Sequence, residues 1–180
     1  MPFGSSATDL DLGLLVVRLA LGSMLIVHGG NKIFGAGGLT GTAGWFESLG
    51  LRPGWLHARL AAFTEVGAGV LMALGLLTGL ASLAFVGLMV VAARTDHLGK
   101  GYFVFKGGWE YVALVALVST GLAAAGPGDW SLDNALGLDV VGYLWALLAA
   151  GGGAVAAAGL LLTFRRHPVR TAEAEGRVIA

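Results

Sequence analysis

AAFTEVGAGVLMALGL, residues 61–76, carries a single charge, Glu65. It lies inside an apolar run over 58–77. About 20 mostly apolar residues are what a helix needs to cross the hydrocarbon core of a bilayer. Four more runs qualify by the same measure, at 12–30, 79–96, 109–125 and 140–164. The chain therefore reads as all-α, an integral membrane bundle of five transmembrane helices. Between the second and third runs only LLTGL intervenes, a tight hairpin in which Gly79 supplies permissive backbone.

Composition agrees with this reading. Of 180 residues, 56% are hydrophobic and 12% charged, and mean hydropathy is +0.80. Soluble domains run at roughly 45–50% apolar and about 25% charged. The 31 glycines fit helices that pack closely inside lipid. With no cysteine, a dithiol relay, a thiolate metal site and a disulfide are excluded. Zero formal net charge offers no field for nucleic acid, and no basic–aromatic platform is present. MPFGSSATDLDLG lacks the basic start of a secretory signal, so the first run is expected to be a retained helix.

The connection over 31–57 has structure of its own. GTAGWFESLGL places Trp45, Phe46 and Leu49 at helical spacing before Gly50, which predicts a short amphipathic interfacial helix with a glycine C-cap. Pro53 and Gly54 then break the chain, and Trp55 is placed as an interface anchor. Residues 1–164 are expected to form one transmembrane domain, and 165–180 a basic, mobile cytoplasmic tail. With five spans, Lys32, Arg52, Arg59, Arg94, Lys100, Lys106, Arg165, Arg166, Arg170 and Arg177 share one side. The other side holds Asp9, Asp11, Asp129, Asp133 and Asp139 and no base. Basic residues collect on the cytoplasmic side, so the N-terminus is expected outside and the C-terminus in the cytoplasm. The Gly/Ala-rich fifth run, LWALLAAGGGAVAAAGLLL, suits either packing in its own bundle or an oligomer or partner contact.

Arg18 is the one base well inside a span. At about 1.5 Å per residue it lies roughly 18 Å from the cytoplasmic edge, and Glu65 roughly 12 Å. A charge at the bilayer centre costs at least about 2.5–3.5 kcal/mol, so each needs a partner, and each is the other's best candidate. A second group gathers near the cytoplasmic ends of the helices: His28 and Lys32, then Asp96 and His97, then Glu110. His28 and Lys32 share a face if the first helix continues through Gly29 and Gly30. Each has a plainer explanation: Glu110 suits a helix N-terminus, and a lone histidine near a helix end is commonly a bystander. No HxxxH, ExxH or HxH spacing pins two ligands to one helix, so no metal is expected. GAGGLTG, 35–41, lacks the register and the lysine of a phosphate loop, so no nucleotide is expected either.

The polar pattern resembles the DoxX family of small bacterial membrane proteins. The matching stretches are RLALGSMLIVHGGNKIFG, WFESLGL, AAFTEVGAGVLMALGLLTGLAS, DHLGKGYF and GGWEYVALVALVSTGLAAAGPGDWSLD, together covering about 18–133. The resemblance implies an inner-membrane protein whose relatives include the membrane subunit of a thiosulfate:quinone oxidoreductase. It also implies a kinship with a membrane partner of a superoxide dismutase and a sulfurtransferase. The family's polar positions fall on Arg18, His28, Lys32, Glu65, His97, Glu110, Ser131 and Asp133. In GPGDWSLD, Ser131 or Asp133 is expected to cap a short outer helix, LDNALG.

These readings lead to a quinone-binding membrane component of sulfur redox or oxidative-stress metabolism. His28, Glu65, His97 and Glu110 are the candidate catalytic residues, with types suited to proton exchange. Arg18 and Lys32 are candidate ligand-binding residues that could stabilise a reduced anion. Ser131 and Asp133 are structural. Lipid, a protein docking on 140–164 and the tail, and a second copy are the candidate partners. Two other functions stay open: a scaffold for a cytoplasmic enzyme, and a small transporter using Glu65 as a proton site.

Overall fold

The computed structural model describes residues 6–166. Five long helices follow the predicted runs: α1 (Ala7–Phe34), α3 (Gly54–Leu74), α4 (Thr78–Thr95), α5 (Glu110–Ala125) and α7 (Tyr143–Phe164). Two short ones join them, α2 (Gly38–Ser48) and α6 (Leu132–Leu136). Among the described residues α1, α4 and α7 are long and apolar enough to cross a membrane. By the same standard α5 is shorter, and α3 spends part of its length on His57, Arg59 and Glu65.

Ser6 starts α1 through a capping box: its hydroxyl accepts from the Asp9 N–H, and the Asp9 carboxylate accepts from the Ser6 N–H. The helix does not stop at Gly29–Gly30 but runs on to Phe34. α2 falls where the short amphipathic helix was predicted. Phe46 turns inward, Trp45 stays exposed, and Gly50, at φ 88°, takes the left-handed turn that ends the segment.

Lipid tails are as apolar as leucine, so helices in a bilayer associate through close packing and polar links. α1 and α3 run antiparallel and do this through small residues. A Cβ on Gly22 would fall 2.6 Å from the Gly69 carbonyl oxygen, and one on Gly29 would fall 2.7 Å from that of Ala62. Leu21, Leu25, Met72, Phe85, Met89 and Val115 fill the centre between α1, α3, α4 and α5.

α7 packs on α4 through its glycines. A Cβ on Gly153 would lie 2.8 Å from the Leu83 carbonyl oxygen. A π turn over Leu148–Gly152 precedes that contact. The small-residue face of this helix is thus used inside the bundle, while Leu147, Val155 and Leu162 remain exposed.

The first two residues after α7 take part in the fold. Residues 165–166 are docked, not loose: the Arg52 N–H donates to the Phe164 carbonyl at 3.1 Å, and the Arg166 N–H to that of Gly50 at 2.7 Å. The Arg165 guanidinium also caps the end of α4 through the Arg94 carbonyl, at 2.8 Å. Gly50 makes room for this seam, since a Cβ there would meet the Arg166 oxygen at 2.3 Å. The remainder of the predicted tail, 167–180, lies outside the described residues.

Candidate functional site

The expected partnership of Arg18 and Glu65 is not made. Antiparallel packing sets Arg18 against the far end of α3. There it donates to the Trp130 carbonyl at 2.6 Å and to the Ala73 carbonyl at 3.3 Å. Glu65 is instead held by Lys32, whose Nζ lies 2.8 and 2.6 Å from the two carboxylate oxygens. The cause is Gly29. Without a side chain there, α3 approaches α1 at Ala62–Glu65, and Lys32, three residues further on, reaches back along its flexible stem. Fourteen residues of helix, about 21 Å of rise, separate Arg18 from Lys32.

Two polar sites result, one at each end. At the Arg18 end, GPGDWSLD folds across the helices. Asp133 is 1% exposed and its carboxylate accepts from Leu77 N–H at 2.6 Å, Thr78 N–H at 2.9 Å and Thr78 hydroxyl at 2.6 Å. It therefore caps α4, and not the short helix it belongs to; Ser131 does that, accepting from the Asn134 N–H at 3.2 Å. Asp11, buried on α1, accepts from the Asp129 N–H at 2.8 Å. Every one of these groups is satisfied by the fold except Arg18 Nε.

At the other end the helices leave a cleft of about 610 Å³ between α3, α4 and α7, roofed by α2. Its walls are mainly aliphatic, with Leu83, Leu88, Ala157 and Leu160 among them. Ionisable side chains enter from several elements: His28 and Lys32 from α1, Glu65 from α3, Asp96 and His97 from the end of α4. Since α1 continues through its glycines, His28 and Lys32 do share a face. His97 Nδ1 lies 2.6 Å from the Gly107 carbonyl oxygen. A carbonyl only accepts, so the proton of a neutral His97 sits on Nδ1, and Nε2 carries the lone pair, 4.0 Å from Asp96. Asp96 is also engaged by Lys100 at 2.9 Å.

Glu110 is not brought to the cleft. Its carboxylate accepts from the Val104 N–H at 3.0 Å, pinning the turn that precedes α5. Of the predicted residues, His28, Lys32, Glu65 and His97 converge here, while Arg18, Ser131 and Asp133 lie at the opposite end.

Two wall residues carry polar atoms that the sequence reading passed over. Tyr111, from α5, donates its hydroxyl to the Met24 sulfur. His57, from α3, is 3% exposed, packs edge-on to Phe164 at 5.0 Å, and leaves Nε2 with no hydrogen-bond partner. A signal for His57 was available, because it precedes Ala61, Thr64 and Glu65 at the i, i+4, i+7, i+8 spacing of one helical face.

A family model for DoxX matches residues 13–98. A Bacillus subtilis (strain 168) protein named "Putative oxidoreductase CatD" is 32% identical over 123 residues, covering 68% of this chain and 86% of that protein. No solved structure matches the chain significantly. The family match takes in α1 to α4, and so Lys32, His57, Glu65 and His97, but neither Glu110 nor α7. Membrane-type helices, the shared segment and this relative agree, and the chain belongs to the DoxX family of membrane proteins.

Proposed function

We propose that the cleft binds a quinone and that the protein is the membrane component of an oxidoreductase in sulfur redox or oxidative-stress metabolism. The observation that carries this reading is the cleft: about 610 Å³, apolar-walled, with Lys32–Glu65, His28 and His97 on its lining. Small-molecule sites are usually about 300–1,000 Å³, mostly apolar, with a few convergent polar groups. The donor set fits a quinone head group. Lys32 offers a cation to an oxygen that gains charge, and Glu65 and His28 are of types that exchange protons. A bound quinone would supply two-electron, two-proton chemistry. The chain has no cysteine, so its electrons would pass to or from a protein partner. The name of the Bacillus subtilis relative points to the same class of reaction.

The matching topology is five spans in a bacterial cytoplasmic membrane, N-terminus outside. It is supported by Lys32, Arg52, Arg94 and Arg165 at one end and Asp11, Asp129 and Asp133 at the other.

Purified protein should carry quinone that solvent extraction releases. Glu65→Gln and His28→Ala should each lower bound quinone about tenfold, a loss of about 1.4 kcal/mol. Membrane insertion should be unchanged. Wild-type levels of quinone in both variants would remove the quinone site. A scaffold role is the second reading, favoured by how completely Lys32 satisfies both oxygens of Glu65. It expects an enzyme partner to co-purify with wild type and both variants, and no quinone even in wild type.

A further inference from the structure

His57 meets the Arg52 backbone, but the fold does not account for its second ring nitrogen, Nε2. The residue lies one turn into α3, with the Phe164 ring edge-on at 5.0 Å and a largely aliphatic cleft wall around it. A leucine would fill such a place without cost. An imidazole there has lost water, and its Nε2 has gained nothing in exchange. Buried polar groups in native proteins nearly always find a partner, and those that do not call for an explanation in function, water or an ion.

We propose that His57 is a ligand-contacting residue of the cleft whose Nε2, shielded in the ligand-free fold, is uncovered on binding and hydrogen-bonds to an oxygen of the quinone head group. This assignment rests on the reading of the cleft as a quinone site. Eight residues of α3, about 12 Å of rise, separate His57 from Glu65, with Ala61 and Thr64 on the wall between them. The cleft thus has two polar stations on one helix, a charged one at Lys32–Glu65 and a neutral one at His57. That arrangement suits a flat head group with an oxygen at each end, and its tail is left the aliphatic strip of α4 and α7 formed by Leu83, Gly87 and Ala156. An imidazole serves both redox states of such a ligand. With the proton on Nε2 it donates to a carbonyl, and with the proton on Nδ1 it accepts from a hydroxyl.

α7 acquires a role from this. Its end holds His57 through Phe164, and its Ala156, Ala157 and Leu160 close the wall, although α7 lies outside the segment matched by the family model.

The test uses the full-length protein in detergent, titrated with a short-tailed ubiquinone and a short-tailed menaquinone, with Tm measured on ligand-free protein. His57→Leu should raise Kd about tenfold or more while raising Tm, because it removes an unmet polar group from an apolar shell. His57→Gln, which can place a nitrogen near the Nε2 position, should bind within about threefold of wild type. Equal binding by wild type and His57→Leu overturns the assignment and leaves the quinone reading standing. Should His57→Leu lose both stability and binding, His57→Gln decides: restored binding upholds the contact, and failure overturns it. Wild-type protein that binds neither quinone overturns the quinone reading, and this assignment with it.

Discussion

Asp133 does the work of a helix cap from 55 residues away in the chain. The first turn of α4 begins at Leu77, a non-glycine residue in the left-handed region at φ 49°, a conformation that costs energy and persists only when its surroundings hold it. The Asp133 carboxylate holds it, taking both adjacent N–H groups and the Thr78 hydroxyl. Asp133→Ala would leave those buried donors unmet and should cost about 3 kcal/mol or more, read as a lower Tm in detergent. Asp133→Asn, which keeps an acceptor oxygen, should lose less. Quinone binding should survive in Asp133→Asn, because the cleft is at the other end of the bundle. The same scale shows what a sequence withholds. That Arg18 and Glu65 each need a partner follows from burial alone. Which partner each takes depends on the offset between α1 and α3, and that offset is set by glycine contacts no periodicity encodes. His57 was readable from its spacing to Glu65, but its unmet nitrogen was not, since satisfaction is a property of neighbours such as Phe164, brought from the end of α7.

At the scale of elements, the five long helices were legible because each follows a mostly apolar run, three of them long and apolar enough to cross a bilayer, where backbone hydrogen bonds must close within each segment. The short helix α2 was legible through Trp45, Phe46 and Leu49. The docking of 165–166 was not, because a two-residue seam with Gly50–Arg52 leaves no pattern in composition. What distinguishes one glycine from another is equally local. Gly67 and Gly69 stand two apart on α3, yet a Cβ on Gly67 would meet nothing within 4 Å, while one on Gly69 would lie 2.7 Å from the Gly22 carbonyl oxygen. Backbone cannot yield as a side chain tip can. Gly69→Ala should therefore part α1 from α3 and cost about 1–3 kcal/mol, the usual range for overpacking. Gly67→Ala should be neutral or stabilising by up to about 1 kcal/mol through helix propensity. Thermal unfolding of the two variants side by side checks this, and equal Tm values would mean that α1 and α3 are not held together at these glycines. Because Lys32 meets Glu65 one turn from Gly29 on the same interface, Gly69→Ala should also weaken quinone binding.

Across the whole molecule, basic residues other than Arg18 gather at one end. Arg52, Arg94 and Arg165 meet where α3 begins and α4 and α7 finish, and Asp11, Asp129 and Asp133 meet at the opposite pole. Sorting of this kind follows from the membrane potential and the insertion machinery, which retain basic segments on the cytoplasmic face. On the proposed topology the cleft, with His28, Lys32 and His97, would lie in the inner half of the bilayer, where the proposed electron donor would be a cytoplasmic one. The GPGDWSLD cap then faces outward. The chain has no cysteine, so a single introduced thiol reports its own side. Leu136→Cys, on the exposed surface of α6, should react with a membrane-impermeant maleimide in intact spheroplasts. Lys106→Cys, in the exposed turn before α5, should react only after permeabilisation. Both reacting before permeabilisation would mean that the two ends are not on opposite sides of a bilayer, and the bundle would not be a five-span one. The inverse pattern would place the cleft at the outer leaflet, where its electrons would have to be exchanged with an extracytoplasmic partner.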